Sequence, residues 1–141
     1  MTALWQRICF ISGGIISVGF GLWHLFVPYL YKWKSYMGDA PEELLRAVMA
    51  TNFFMGLSLA ILGAITILLS IRFYQHLSFV RIWMLVMSGL WLVRVIYQVV
   101  SPQGRMIPGL SWIMLCAFIL TSLLFLIPAI SSLIHVSNKP D

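Results

Sequence analysis

Four uninterrupted apolar runs constrain this chain more than any other feature. They cover residues 8–31, 45–71, 79–100 and 107–136. A helix needs about 20 residues to cross the roughly 30 Å of hydrocarbon in a bilayer, and each run is at least that long. A transmembrane β-barrel would instead show alternating segments of about 10 residues. The sequence therefore predicts an all-α integral membrane protein, a four-helix bundle with four transmembrane helices.

The composition excludes a soluble domain. Hydrophobic residues make up 61% of the 141 residues and charged residues 9%, and the mean hydropathy is +0.96. A soluble domain of this length has too little interior to hide that apolar surface. The net charge of +5 comes from Lys and Arg residues near the predicted helix ends, where snorkelling and anionic lipid head groups explain them. We expect a lipid bilayer as partner and no nucleic acid.

The ends of the runs carry helix signals. We predict helices over about 8–31, 40–71, 79–100 and 107–136, within one transmembrane domain spanning 1–141. Asp39 can cap the second helix, with Pro41 in its first turn. The cluster at 101–104 ends the third helix, and Pro108-Gly109 delays the fourth.

An even number of crossings predicts that both termini lie on one side. The basic residues that flank the spans divide equally between the two sides, with Arg7, Arg72, Arg81 and Lys139 on the terminal side and Lys32, Lys34, Arg46 and Arg105 on the other. Arg72 and Arg81 flank the very short second loop. Short loops that carry Lys and Arg lie mostly on the cytoplasmic side of a membrane. We therefore expect cytoplasmic termini.

Polar residues of different helices fall at one depth. His24 lies seven residues before Tyr31, and Arg94 lies seven residues before Ser101. Asn52 lies six residues after Arg46, so all three are about 10 Å inside the same membrane face. A half-open pocket facing the first and third loops is the expected binding site. The candidate ligand-binding residues are His24, Asn52, Trp91, Arg94, Gln98 and Trp112.

Arg94 is the one charge well inside an apolar run. An arginine at the centre of a membrane helix costs about 2.5–3.5 kcal/mol on insertion scales, and less near the interface. No acidic residue lies inside any of the four runs to pair with it. Two interpretations stay open: the side chain snorkels to the head groups, or it holds a neutral acceptor, a lipid phosphate or another anion.

His24 lies where the first helix is expected to bend. Pro28, four residues later, removes the N–H that would pair with the His24 carbonyl. Gly13, Ser17 and Gly21 precede His24 at helical spacing and form a small-residue face suited to close helix contact. A satisfied core histidine and a ligand-binding or proton-handling histidine both remain open.

Asn52, Trp91 and the remaining histidines have competing interpretations. Asn52 precedes Gly56, Ala60 and Gly63 on one face, and its amide could bond a neighbouring helix or a ligand. Trp91 could stack on a ligand or fill the interior. His76 lies in the opposite loop and His135 at the far end of the fourth helix, so neither can complete a bis-histidine haem site with His24. We predict no metal site and no catalytic residue, and the pattern specifies no cofactor.

The layout resembles one family. The first helix is glycine-rich (Gly13, Gly14, Gly19, Gly21), and the third carries Arg94 ahead of Pro102-Gln103-Gly104. This arrangement is similar to that of the DoxX-like group of small four-helix bacterial membrane proteins. The resemblance implies the bacterial cytoplasmic membrane. Some members are linked to quinone-dependent oxidation of sulfur compounds, but no catalytic motif of the group is matched here.

Three functions compete. The first is a non-enzymatic multi-pass membrane protein, a small subunit or binding module that holds a lipid, a quinone or a partner membrane protein near Arg94. The second is a quinone-binding or oxidoreductase-associated subunit, in which Arg94 or His24 bonds a quinone carbonyl and Trp91 or Trp112 packs the ring. The third is a small transporter working as a homo-oligomer. The lack of an intramembrane carboxylate or a nucleophile–base pair favours the first.

Overall fold

The computed structural model describes residues 2–72, 77–105 and 107–137, and the regular structure of these residues is entirely α-helical. The long helices are α1 (Thr2–Leu30), α3 (Glu42–Arg72), α4 (Leu77–Val100) and α5 (Leu110–Ser137), and the single turn α2 (Trp33–Tyr36) lies between α1 and α3. All four long helices contain a stretch long and apolar enough to cross a membrane: Leu4–Leu30, Glu42–Arg72, Phe79–Val100 and Leu110–Ser132. The predicted all-α class and the four membrane-length helices are confirmed.

The helix ends differ from the predicted ends by a few residues. Helix α1 begins at Thr2 rather than near residue 8, because hydropathy marks entry into hydrocarbon and not the first helical hydrogen bond. Helix α3 begins at Glu42 rather than near residue 40. The Leu45 N–H donates to the Pro41 carbonyl at 3.1 Å, so Pro41 holds the N-cap position predicted for Asp39.

The third loop delays α5 further than predicted. Helix α5 begins at Leu110 rather than near residue 107. Gly104 and Gly109 have φ angles of +78° and +82°, a left-handed conformation that glycine adopts without steric cost. Residues 73–76, in the predicted second loop with His76, lie outside the described residues.

The outward faces of the long helices are apolar. Between 28% and 33% of each candidate span is buried inside the protein. Large hydrophobic side chains dominate the remaining surface, among them Phe54, Val93 and Ile113, each more than 60% exposed. A helix of a soluble bundle instead presents polar residues outward. The surrounding medium that suits these helices is hydrocarbon, as expected for a multi-pass membrane protein.

The chain forms two compact units. The α1–α3 unit is Gly14–Ile65, which contains most of α1, all of α2 and most of α3. The α4–α5 unit contains the first turns of α1 up to Gly13 and the chain from Thr66 onward, including α4 and α5.

In the α1–α3 unit, two helices cross at small residues. A Cβ added to Gly21 would lie 2.5 Å from the Ala60 backbone nitrogen and 2.6 Å from the Gly56 carbonyl oxygen. A Cβ added to Gly63 would lie 2.7 Å from the Gly14 carbonyl oxygen. The two backbones therefore touch, and the predicted close contact between small-residue faces is confirmed at these positions.

In the α4–α5 unit, the two long helices form an antiparallel pair. A hydrogen bond joins Arg81, near the start of α4, to Ser132, near the end of α5. A second joins Gln98, near the end of α4, to Ser111, near the start of α5. The interior contains large side chains with at most 1% exposure: Val80, Met84, Met87, Trp91, Phe118 and Phe125. The indole N–H of Trp83 also donates to the Thr66 hydroxyl at 2.8 Å, which ties α4 to the last turns of α3.

The end of α1 and the segment that follows it expose aromatic and basic side chains. Lys32 has a left-handed φ of 48° and separates α1 from α2. Tyr29 and Tyr36 are exposed, and the Trp23 and Tyr31 rings meet edge to face with centroids 6.4 Å apart. This composition suits the head-group level of a membrane, where tyrosine, tryptophan and lysine concentrate.

Candidate functional site

The six candidate residues fall into two groups. His24 and Asn52 belong to the α1–α3 unit, whereas Trp91, Arg94, Gln98 and Trp112 belong to the α4–α5 unit. Each group is built by different local contacts, and a ligand role for either group remains a prediction.

Asn52 and His24 form a two-point clasp between α3 and α1. The Asn52 Nδ2 donates to the His24 backbone carbonyl at 2.6 Å, and the Asn52 Oδ1 lies 3.1 Å from the His24 Nδ1. Pro28 has no N–H to give that carbonyl, so Asn52 supplies the missing donor. Of the two interpretations left open for Asn52, the structure shows the hydrogen bond to a neighbouring helix, while the common membrane depth with Arg94 stays a prediction.

The clasp fixes which nitrogen of the His24 ring faces Asn52. A carbonyl oxygen can only accept, so the amide nitrogen of Asn52 must face it and the amide oxygen must face the ring. That oxygen also only accepts, so Nδ1 is the ring nitrogen that donates to it. The clasp thus holds the half-buried ring in one orientation.

Arg94 lies over an aromatic ring of α5. Its guanidinium carbon is 5.1 Å from the centroid of Phe118, and the side chain is half-buried. Trp91, one turn earlier on α4, packs against the same ring at 5.6 Å between centroids. Since Trp91 and Phe118 are each 1% exposed, both fill the interior, which leaves Trp91 poorly placed to stack on a ligand.

The direction of the Arg94 side chain bears on snorkelling. The guanidinium packs against a ring that is itself buried in the interior. A side chain on a helix leans toward the N-terminus of that helix, which for Arg94 is away from the loop at 101–109. Both interpretations of Arg94, the snorkelling side chain and the cation that holds an acceptor, stay open.

Gln98 fastens the turn between α4 and α5. Its Nε2 lies 3.1 Å from the Gln103 carbonyl, 3.1 Å from the Ser111 hydroxyl and 3.2 Å from the Ser111 carbonyl. Its Oε1 accepts from the Gln103 N–H at 3.3 Å. With the side chain 2% exposed, the contacts give Gln98 a structural role.

A shallow open groove of about 480 Å³ lies beside this turn. We call it the corner groove; its lining is Gln98, Val99, Pro102, Arg105, Ser111, Trp112 and Leu115. Gln98 and Trp112 are predicted site residues, and Trp112 is 72% exposed. Arg94, Trp91 and the residues of the clasp do not line this groove.

Three residues that contact the candidate residues or line the corner groove are not among the six candidates predicted from the sequence. Phe118 is one apolar residue among many, and only its position opposite Trp91 and Arg94 gives it a role. Arg105 is predicted as a flanking charge, but its place in a groove depends on how the loop closes. Ser111 does have a signal in the sequence, because it is a polar residue directly before the candidate Trp112 at the start of the fourth apolar run.

Metal-binding side chains do not cluster in the part of the chain that is described. No three His, Cys, Asp or Glu residues there could hold an ion. Cys9 and Cys116 are free thiols. His76 and the side chain of His135 lie outside the described residues.

Comparisons with family models, with curated proteins and with solved structures gave no match to this chain. The resemblance to the DoxX-like group therefore stays a prediction.

Proposed function

We propose that this chain is a non-enzymatic multi-pass protein of the cell membrane, a small subunit or binding module. In this proposal the four long helices cross the bilayer as one bundle, with both termini in the cytoplasm. The protein holds an amphipathic ligand with an anionic or carbonyl group beside Arg94.

The position of Arg94 carries the proposal. The guanidinium lies within the Phe79–Val100 span, half-buried, against the ring of Phe118. A cation–π contact contributes about 2 kcal/mol or more when desolvated. An anionic or carbonyl oxygen of a ligand beside the guanidinium would add a charge-assisted hydrogen bond, which is stronger than a bond between neutral groups. Such a ligand would stabilise the half-buried cation inside the apolar span further.

The ligand can be tested by mass spectrometry of small molecules retained after mild detergent purification. We expect one amphiphile to accompany the native protein and to fall at least about tenfold with Arg94→Leu, a loss corresponding to ~1.4 kcal/mol. Arg46→Leu is the matched control, because that arginine is exposed and paired with Glu42. Arg94→Lys keeps the charge and should retain part of the ligand.

The same experiment can refute the proposal. Equal retention by native protein and by a folded Arg94→Leu variant, judged by helical content and a single species in size-exclusion chromatography, would exclude a ligand at Arg94. If Arg94→Leu does not fold, loss of all retention by Arg94→Lys would show that a positive charge alone does not hold the ligand.

A quinone is the second candidate ligand. The guanidinium of Arg94 can donate to a quinone carbonyl as well as to an anion. Trp91 is buried against Phe118, which leaves exposed Trp112 as the better-placed aromatic residue for the quinone ring. Release of a quinone by Arg94→Leu would favour an oxidoreductase-associated subunit, whereas release of an anionic lipid would favour the binding module.

The oligomeric transporter receives less support from the small residues of the first two crossings. Such faces permit self-association, but Gly21, Gly56 and Gly63 make close contacts between α1 and α3 of the same chain. A homo-oligomer would need another surface.

A further inference from the structure

The corner groove lies where two membrane spans end. The α4 span stops at Val100 and the α5 span starts at Leu110. Exposed Trp112 lines the groove, and tryptophan concentrates at the head-group level of membranes. Val99 and Leu115, which lie inside the two spans, supply an apolar wall of the groove. An occupant that matches this surface has a polar end at the loop and an apolar end in hydrocarbon.

The polar groups of the groove suit an anionic partner. Arg105 is exposed and is the one charged side chain among the lining residues. The amide nitrogen of Gln98 donates to the Ser111 hydroxyl, so Ser111 accepts there and its own hydrogen is left to donate elsewhere. The positive end of the α5 dipole lies at the same place, because α5 begins at Leu110. All three features stabilise an acceptor oxygen with negative charge.

We propose that the corner groove binds the head group of an anionic phospholipid. The phosphate oxygens accept from Arg105 and Ser111, and an acyl chain lies along Val99 and Leu115. This is a second site, separate from the one proposed at Arg94, because Arg94 does not line the groove.

The preference for anionic lipid can be measured by native mass spectrometry of the full chain. Delipidated protein is titrated with phosphatidylglycerol or with phosphatidylcholine of the same acyl chains. We expect the native protein to bind phosphatidylglycerol about fivefold more tightly, the factor that corresponds to ~1 kcal/mol for one basic residue near a membrane surface. In an Arg94→Leu background, which removes the other proposed anion site, Arg105→Gln should weaken phosphatidylglycerol binding more than phosphatidylcholine binding and so abolish the preference.

Three controls make the result specific. Arg46→Gln removes an exposed arginine elsewhere and should keep the native preference. The preference that remains in Arg94→Leu should be the one that Arg105→Gln removes, which separates this site from the one proposed at Arg94. Excess inorganic phosphate should not displace the lipid. An unchanged preference when Arg105→Gln is added to Arg94→Leu, or displacement by phosphate alone, would overturn the proposal.

Discussion

At the scale of single residues, proline chemistry explains the best-defined contact in the chain. Pro28 leaves the His24 carbonyl without a helical donor, and the Asn52 amide takes that place at 2.6 Å. The sequence supports the missing donor and the shared depth of His24 and Asn52. The second bond, from the His24 ring to the Asn52 amide oxygen, could not be predicted from the sequence. It depends on the rotation of α1 about its axis.

This contact predicts a thermodynamic coupling between Asn52 and Pro28. Asn52→Leu should lower the free energy of unfolding in detergent by between about 0.6 and about 1.7 kcal/mol, the average and the largest values measured for hydrogen bonds between membrane helices. In a Pro28→Ala background, residue 28 gains an N–H that can donate to the His24 carbonyl. The cost of Asn52→Leu should then be smaller, as a double-mutant cycle in chemical denaturation would show.

Ser58→Ala serves as the control, since Ser58 is an exposed residue of the same helix. It should change stability little in either background. An equal cost of Asn52→Leu with and without Pro28 would mean that the His24 carbonyl is not what Asn52 stabilises.

Arg94 shows the limit of sequence reasoning about a residue. Its depth follows from counting along α4, and its charge follows from its identity. The ring beneath it, Phe118, lies 24 positions away in an apolar run with no distinguishing pattern. The contact of the guanidinium with this ring depends on the antiparallel register of α4 and α5.

At the scale of helices, small residues set the register of α1 against α3. The spacing of Gly21, Gly56 and Gly63 is visible in the sequence, and the structure brings these positions to backbone contact. Gly13 departs from the expected face, because a Cβ there would lie 2.6 Å from the ring of Phe125 on α5. The pattern of small residues predicts close approach but not which helix approaches.

Gly21→Val should destabilise the protein, whereas Gly19→Val should not. A Cβ at Gly21 would overlap the Ala60 backbone, while one at Gly19 on the same helix meets nothing within 4 Å. Overpacking typically costs about 1–3 kcal/mol, and a backbone neighbour leaves little room to relax. Unfolding midpoints in matched detergent would measure both variants, and equal midpoints would contradict the close crossing.

At the scale of the whole molecule, the distribution of apolar surface accounts for the class of protein. Every long helix has exposed large apolar side chains, for example Val93 on α4 and Ile113 on α5. A soluble bundle would have charged side chains at such positions. Hydropathy alone predicted this, because lipid demands apolar outer faces irrespective of how the helices pair. Helix ends and loops were less predictable, since the Pro41 N-cap and the glycines at positive φ act locally.

Four membrane crossings with both termini in the cytoplasm are the central feature proposed for this protein, and labelling of single cysteines in intact cells tests them most directly. Cys9 and Cys116 are first replaced by alanine, and Gly38→Cys or Gln103→Cys is then treated with a membrane-impermeant maleimide, with lysed cells as the reactivity control. Epitope tags report the two termini. Four crossings predict that both cysteines react from outside the cell while both termini remain protected. Reaction of one cysteine without the other, or termini on opposite sides, would contradict the account.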